Sequence, residues 1–295
     1  MRSVLFICTG NTCRSPMAAG LFAEYAAKKG LASLVSVKSA GLAASPGAPA
    51  CENAVLAAAQ LGADISSHRS RPLSAADLSG DTRFVCMTAQ HAQALQSAGV
   101  PASRVLALSV SDPFLGDAAV YRRCAQQLSD EMPRVFRFVF GCDDIRPMTS
   151  ADAPAAAALE RACFSHPWSE ASLRASLEQD GARFFLLSAD GRPAGYIGAS
   201  LVAGEGYMNN LAVLPDFRRR GFARMLLTAL CDCLQKEDAA FLTLEVRKSN
   251  APAVSLYQSA GFQTVGERRR FYRDPEEDAL LMTLLFLHGK ELLNR

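Results

Sequence analysis

At 295 residues the chain is about twice the usual domain length, which predicts two domains. Its 49% hydrophobic and 20% charged residues, with a mean hydropathy of +0.07, exclude a disordered chain. The net charge of +2 divides at Cys142 into 13 Lys+Arg against 9 Asp+Glu before it and 18 against 20 after it, so neither half carries a nucleic-acid charge signature.

In chain order, the apolar run Val4–Ile7 reads as a buried strand, too short for a signal peptide. Ser15–Lys29 reads as a helix ended by Gly30, Leu34–Lys38 as a strand, Cys51–Gln60 as a helix and Phe84–Met87 as a strand. His91–Ser97 follows as a helix, Val105–Leu108 as a strand and Asp117–Phe140 as a long helix that Pro133 is expected to kink. Strands alternating with helices predict a doubly wound parallel sheet for residues 1–142. A new rhythm begins at 143 and runs to 295: a short strand Asp144–Arg146, helices from Asp152 and Ser169, and strands Phe184–Ser188 and Ala194–Val202 around an Asp190-Gly191 hairpin turn. Tyr207–Val213, a helix from Phe222, Leu242–Val246, a helix from Asn250 and two closing strands complete a mixed-sheet α/β domain. The apolar stretch from Ala279 to Leu287 is interrupted by Thr283 and falls far short of a membrane span. Nine cysteines, an odd count without an export signal, predict reduced thiols in a cytoplasm.

Between the first strand and the first helix lies Cys8-Thr9-Gly10-Asn11-Thr12-Cys13-Arg14-Ser15-Pro16. Ser15 is a good N-cap and Pro16 suits the first helical turn, so backbone N–H groups of residues 9–15 should converge at the positive end of a helix dipole. Gly10 and Asn11 tolerate the backbone angles such a nest requires. An anion held there would have Cys8 beneath it and the Arg14 guanidinium forked onto two oxygens. The chemistry implied is attack of a Cys8 thiolate on a phosphoryl group, with a phosphocysteine then cleared by water. Asp112, presented by the Asp112-Pro113-Phe114 turn, is the candidate acid for the leaving group. A Cys-x4-Cys pair also suggests zinc, but further ligands at metal spacing are not visible, so no metal is expected.

Cys8 to Pro16, Ser39-Ala40-Gly41 and Asp112-Pro113-Phe114 resemble the low-molecular-weight protein tyrosine phosphatases over residues 1 to about 140. The resemblance implies Cys8 as nucleophile, Arg14 as phosphate clamp and Asp112 as general acid. Thr12 resembles the spelling of the bacterial protein arginine phosphatases, which implies a pocket shaped for phosphoguanidinium. Ala19 replaces a frequent first-helix glutamate, and the stretch from Val105 to Asp112 is short, which bears on substrate more than on chemistry. Arsenate reductases share the cradle but need a cysteine pair near Cys86, which lacks a close sequence partner. Cys13 reads as a structural residue, with a reversible Cys8–Cys13 disulfide as the alternative.

In the second half, Asn209 to Leu226 joins a strand to an amphipathic helix whose apolar positions 225, 226, 229, 230, 233 and 234 face a core. The turn before it, Arg218-Arg219-Arg220-Gly221, brings backbone amides and positive charge to one point suited to a diphosphate. With Leu242-Thr-Leu-Glu245-Val, Asn250, Tyr257 and Gly261-Phe262, this half resembles the GNAT acetyltransferases from about 144 to 286. His166-Pro-Trp168-Ser-Glu, Asn210-Leu-Ala-Val213, Leu244 to Asn250, Ala253 to Tyr257 and Arg269-Arg-Phe-Tyr272 resemble the RimI-type ribosomal-protein alanine N-acetyltransferases. The resemblance implies acetyl-CoA along Leu211, Ala212 and Val213, its pyrophosphate on Arg219, Arg220, Gly221, Phe222, Ala223 and Arg224, and Asn250 touching it. Glu245 would take the proton of an N-terminal amine and Tyr257 would protonate the departing thiolate. Glu245 paired with Arg247 or Lys248 is the plain structural alternative, and Trp168 reads as an anchor.

The expectation is a bifunctional cytoplasmic enzyme acting on a phosphoprotein and on a ribosomal protein N-terminus, without nucleic-acid or membrane partners. A first half serving only as a phosphoprotein-binding module, and a second half acting on lysine or small amines, are the alternatives.

Overall fold

Strand-forming residues with alternate faces both apolar decide the first fold unit. A computed structural model describes residues 1–286; the last nine residues of the second predicted domain, Leu287 among them, lie outside the described residues. The chain forms two compact units, one ending at Asp143 and the next beginning at Asp144.

The first unit contains β1 (Arg2–Cys8), α1 (Arg14–Lys28), β2 (Val35–Gly41), α2 (Glu52–Gln60), α3 (Ala75–Leu78), β3 (Arg83–Cys86), α4 (Ala89–Ser97), β4 (Val105–Ala107) and α5 (Ala118–Phe140). Its four strands are parallel in the order β2-β1-β3-β4. Strand β1 buries both faces: Leu5 and Ile7 join Phe84, Ala92 and Leu95 on the α4 side, while Phe6 packs on Phe22 of α1 at 5.7 Å between ring centroids. Helix α5 runs unbroken through Pro133 and stops at Gly141, whose φ of 74° is open to glycine without steric cost. The short helix α3, closed by a Ser74–Asp77 capping box, was not expected from the apolar pattern.

The second unit contains β5 (Asp144–Pro147), α6 (Ala153–Cys163), α7 (Glu170–Leu177), β6 (Ala182–Ala189), β7 (Arg192–Val202), β8 (Glu205–Val213), α8 (Phe222–Lys236), β9 (Phe241–Arg247), α9 (Ala251–Ser259), β10 (Gln263–Arg273) and β11 (Glu276–Leu285). Its mixed sheet runs β10-β11-β9-β8-β7-β6-β5, and β8 with β9 is its parallel pair. Residues Asp190 and Gly191 take φ of 53° and 74°, the left-handed pair that matches hairpin twist between β6 and β7. Phe184, Leu186, Tyr196 and Ala212 on one sheet face pack with α6 and α7. No described helix is long and apolar enough to cross a membrane.

Candidate active sites

The first site grows from the end of β1. Cys8 is buried, with the Asn11 N–H directed at its Sγ at 3.2 Å and Ser15 Oγ 3.0 Å away. Thr9, Gly10, Asn11, Thr12 and Cys13 form the connecting loop, and Arg14 and Ser15 open α1. Two local expectations are corrected. Cys13 occupies the cap position, so Ser15 lies within the first turn, its hydroxyl turned to Cys8 rather than to a helix amide. Asn11, not Gly10, adopts the left-handed conformation, with φ of 54°.

Asn11 holds the loop because its amide has partners on every side. Its Nδ2 donates to Ser15 Oγ and Ser39 Oγ, both at 2.9 Å, and its Oδ1 accepts the Arg71 N–H at 2.9 Å. Its carbonyl lies 2.8 Å from His68 Nε2. Gly41 lets the second strand approach: a Cβ there would sit 2.5 Å from the Thr9 carbonyl oxygen. His91 bridges Thr9 Oγ1 at 3.0 Å and Thr88 Oγ1 at 2.8 Å. Burial, then the Arg14 charge, holds His91 below the ordinary imidazole range, which suits a neutral bridge.

Arg14 is buried and ion-paired with Asp112, brought back from 98 residues away on the segment after β4. The Phe114 N–H donates to Asp112 Oδ1 at 3.2 Å and fixes the turn. A cavity of about 330 Å³ opens beside the cradle, lined by Thr12, Cys13, Cys51, Glu52, Phe114 and Tyr121 among others. The structure therefore brings Arg14 and Asp112 together and places Thr12 on the cavity wall. An anion seated over Cys8 would meet the guanidinium after exchanging with the Asp112 carboxylate.

The second site is a gap in a sheet beside a helix N-terminus. Strands β8 and β9 pair only across Glu205–Tyr207 and Phe241–Thr243; no register pairing joins them beyond. A bulge between Met208 and Asn210 bends β8 just before Leu211, Ala212 and Val213. Arg219 and Gly221 have φ of 64° and 84°, which turns the chain into α8, where Phe222, Ala223 and Arg224 supply first-turn amides. The arginine side chains do not converge as their clustering suggested. Arg220 pairs with Asp190 at 3.2 Å and lies over Phe217, and Arg224 donates to Ser259 Oγ at 2.6 Å. Main-chain amides are thus the feature of this turn best suited to a diphosphate. Asn250 caps α9 through Ala253 N–H at 3.3 Å.

Glu245 lies on β9 and borders a groove of about 350 Å³ with Tyr207, Phe241, Thr243, Arg268 and Leu281. Its partner is Arg268 at 3.1 Å, whereas Arg247 pairs with Glu277 at 3.3 Å and Lys248 with Glu267 at 3.0 Å. The plain alternative of a pair with Arg247 or Lys248 is therefore corrected: both cations are taken by other carboxylates. Tyr257 on α9 is buried against Phe262, and burial, then neighbouring Tyr272, pushes its phenol up, so it retains its proton at neutral pH. Tyr272 also donates to the Glu245 carbonyl at 3.3 Å, which makes it a neighbour of both candidate residues.

Sequence reasoning missed Glu160. This buried carboxylate accepts from Tyr196 OH at 2.5 Å, Asn210 Nδ2 at 2.6 Å and the Trp168 N–H at 2.7 Å. It ties the Trp168 segment to β7 and β8. An acidic residue inside the alanine-rich face of α6 was the available signal.

Residues 3–139 match the family model described as low molecular weight phosphotyrosine protein phosphatase, and residues 153–262 match that of the acetyltransferase (GNAT) family. The ribosomal protein bS18-alanine N-acetyltransferase of Escherichia coli K12 is 39% identical over 144 residues, covering 48% of this chain and 95% of that protein. The putative counterpart of Bacillus subtilis strain 168 is 34% identical over 139 residues, covering 47% and 92%. Among solved structures, the YwlE arginine phosphatase from Geobacillus stearothermophilus is 32% identical, covers 46% of this chain and 90% of its own, and has a TM-score of 0.41.

Proposed function

Because the chain belongs to the ribosomal protein bS18-alanine N-acetyltransferase family through its second unit and carries a low molecular weight phosphatase unit before it, we propose that it is a bifunctional enzyme with two separate chemistries. The first removes phosphate from a protein phosphoresidue, phosphoarginine or phosphotyrosine, through Cys8. The second acetylates a protein N-terminal amine, that of a ribosomal protein N-terminal alanine.

For the first, the supporting observation is the Arg14–Asp112 pair beside a loop that aims a backbone N–H at Cys8 Sγ. Cys8 sulfur attacks phosphorus while the bond to the leaving nitrogen or oxygen breaks, and Asp112 gives that atom a proton. Arg14 and the amides of residues 9–15 hold the equatorial oxygens as charge spreads over them. Asp112 then takes a proton from the water that cleaves the sulfur–phosphorus bond.

For the second, the supporting observation is the unpaired end of β8 and β9 beside the α8 N-terminus, with Glu245 on the groove. The opening fits acetyl-CoA: Leu211–Val213 offer strand edge groups, and Gly221 to Arg224 offer amides for its pyrophosphate. Bound there, the cosubstrate supplies the acetyl thioester. Glu245 takes the acceptor amine's proton, directly or through water, after parting from Arg268. Tyr257 donates to the departing sulfur.

The test is a paired assay on the purified chain. One arm offers phosphoarginine and phosphotyrosine peptides and reads phosphate; the other offers acetyl-CoA with alanine-ended and lysine-containing peptides and reads free thiol. Turnover in both arms, with Cys8→Ser abolishing only phosphate release, is the expected result. Acetylation without phosphate release would assign the first unit to phosphoprotein binding, and preference for lysine would overturn the N-terminal acceptor.

A further inference from the structure

Three groups meet at the cavity beside the cradle without a place in the chemistry above. Cys13 Sγ lies 3.5 Å from Cys51 Sγ and 3.3 Å from Tyr121 OH. The Cys51 N–H donates to the Thr12 carbonyl at 3.0 Å, so the two backbones are clamped side by side. Both thiols line the cavity, and Cys51 is partly exposed. The nucleophile takes no part in this cluster, since Cys8 Sγ has Asn11 and Ser15 as its partners.

We propose that Cys13 and Cys51 form a peroxide-responsive disulfide site at the mouth of the first cavity, with Cys51 as the attacking thiol and Cys13 as the resolving one. This inference goes beyond the catalytic reading and does not depend on it. The Cys51 thiolate sulfur attacks one oxygen of hydrogen peroxide, the O–O bond breaks and hydroxide leaves, giving a Cys51 sulfenic acid. Cys13 sulfur then attacks the Cys51 sulfur, and its proton leaves with the sulfenic hydroxyl as water. The two sulfurs together lose two electrons, which reduce the peroxide, and their separation closes from 3.5 Å to about 2.05 Å.

The electrostatics agree with that order. The hydrogen bond that the two sulfurs share, with Tyr121 contributing, draws Cys51 below the ordinary thiol range, and Cys51 is the more exposed of the two. Cys86 and Cys124, by contrast, are pushed up to about 12 by burial. The bond ties residue 13, between Thr12 and Arg14, to the start of α2, and it leaves Cys8 as a free thiol.

The full-length reduced protein is treated with a small excess of hydrogen peroxide at neutral pH, alkylated with iodoacetamide and mapped as non-reduced peptides. A Cys13–Cys51 crosslink with alkylated Cys8 is expected. A Cys8–Cys13 crosslink with alkylated Cys51, or no crosslink to Cys13 at all, overturns the proposal. A second measurement needs no oxidant: in the reduced protein, Cys51 should alkylate more than about tenfold faster than Cys86. Equal rates count against it. Both readouts are masses rather than turnover, so they fail or succeed apart from the phosphatase assignment.

Discussion

Glu160 is the residue whose replacement the structure prices most directly. Its carboxylate is buried and accepts three hydrogen bonds, from the Tyr196 hydroxyl, the Asn210 amide and the Trp168 N–H. Glu160→Ala removes all three acceptor interactions at once from the buried Tyr196 hydroxyl and from the half-buried Asn210 amide and Trp168 N–H, at ~1–3 kcal/mol for each donor that water fails to reach. With water filling part of the space, the net loss should be about 3–5 kcal/mol, comparable to breaking one side of a buried polar pair. A unit of about 150 residues unfolds with roughly 0.3 kcal/mol/K of entropy, so its transition should fall by about 10–16 °C. Glu160→Gln separates the terms. Its oxygen still accepts from Tyr196 and Asn210, while its amide meets the Trp168 N–H, donor against donor, so one bond is lost and the shift should be about 3–10 °C. Trp168 is the single tryptophan of the chain, so its fluorescence during heating reports this unit. A Glu160→Ala transition within about 3 °C of the parent, or a glutamine variant as unstable as the alanine one, would refute the reasoning.

Asp112→Asn should lower aryl phosphate turnover by about 10²–10⁴ while inhibition by inorganic phosphate strengthens by about 1.4- to 5-fold, because an ion pair with a half-exposed carboxylate, worth ~0.2–1 kcal/mol, no longer competes for Arg14. Unchanged or weaker phosphate inhibition would contradict that competition. Glu245→Gln should lower acetyl transfer by about 10²–10⁴ with acetyl-CoA affinity within about twofold by calorimetry; loss of cosubstrate binding would remove the carboxylate from its assigned role. Arg71, whose N–H holds Asn11, pairs with Asp77 and keeps that carboxyl at about 2 instead of the usual 3.8. A depressed carboxyl stabilises the fold above its unfolded value and loses that contribution as pH falls toward the folded one. Asp77→Asn should therefore flatten the decline in first-unit stability between about pH 4 and 2, read from urea midpoints by circular dichroism. An unchanged acid limb would mean that the pair contributes nothing there.

The parts legible from the residues alone were those written contiguously, whereas Asp112 beside Arg14 followed from the family resemblance. Cys8 to Ser15 is one loop between a strand and a helix, so its residues share a site because the chain leaves them no alternative. The Asp190-Gly191 turn was readable for the same reason. What stayed hidden depends on residues meeting across the fold. Arg268 on β10 reaches Glu245 on β9 across the intervening β11, and Cys51 meets Cys13 where its N–H bonds the Thr12 carbonyl. Ser15 illustrates a sharper limit. Its residue type favours capping, but a buried sulfur and the Asn11 amide claim its hydroxyl instead, and tertiary partners outweigh local preference.

The two sites solve one physical problem in different ways. Each places a strand end, a left-handed residue and a helix N-terminus in succession, at Asn11 before α1 and at Gly221 before α8. Both arrangements collect main-chain amides at the positive end of a dipole, which suits holding a phosphate but supplies no group to change it. In the first unit β1 ends in a thiol beside the loop, and the Asp112 segment returns a carboxylate to the Arg14 guanidinium, so under the proposed function an anion held there would meet both the candidate nucleophile and the candidate proton donor. In the second, β8 ends in Leu211, Ala212 and Val213, which carry no reactive group, and the candidate base and acid stand on β9 and α9 instead. On the proposed reading, the groups that hold the anion and the nucleophile share one loop in the first unit, whereas holding and reacting groups stand on different elements in the second. A substitution in the first loop should damage affinity and turnover together, whereas in the second unit the two are separable by residue.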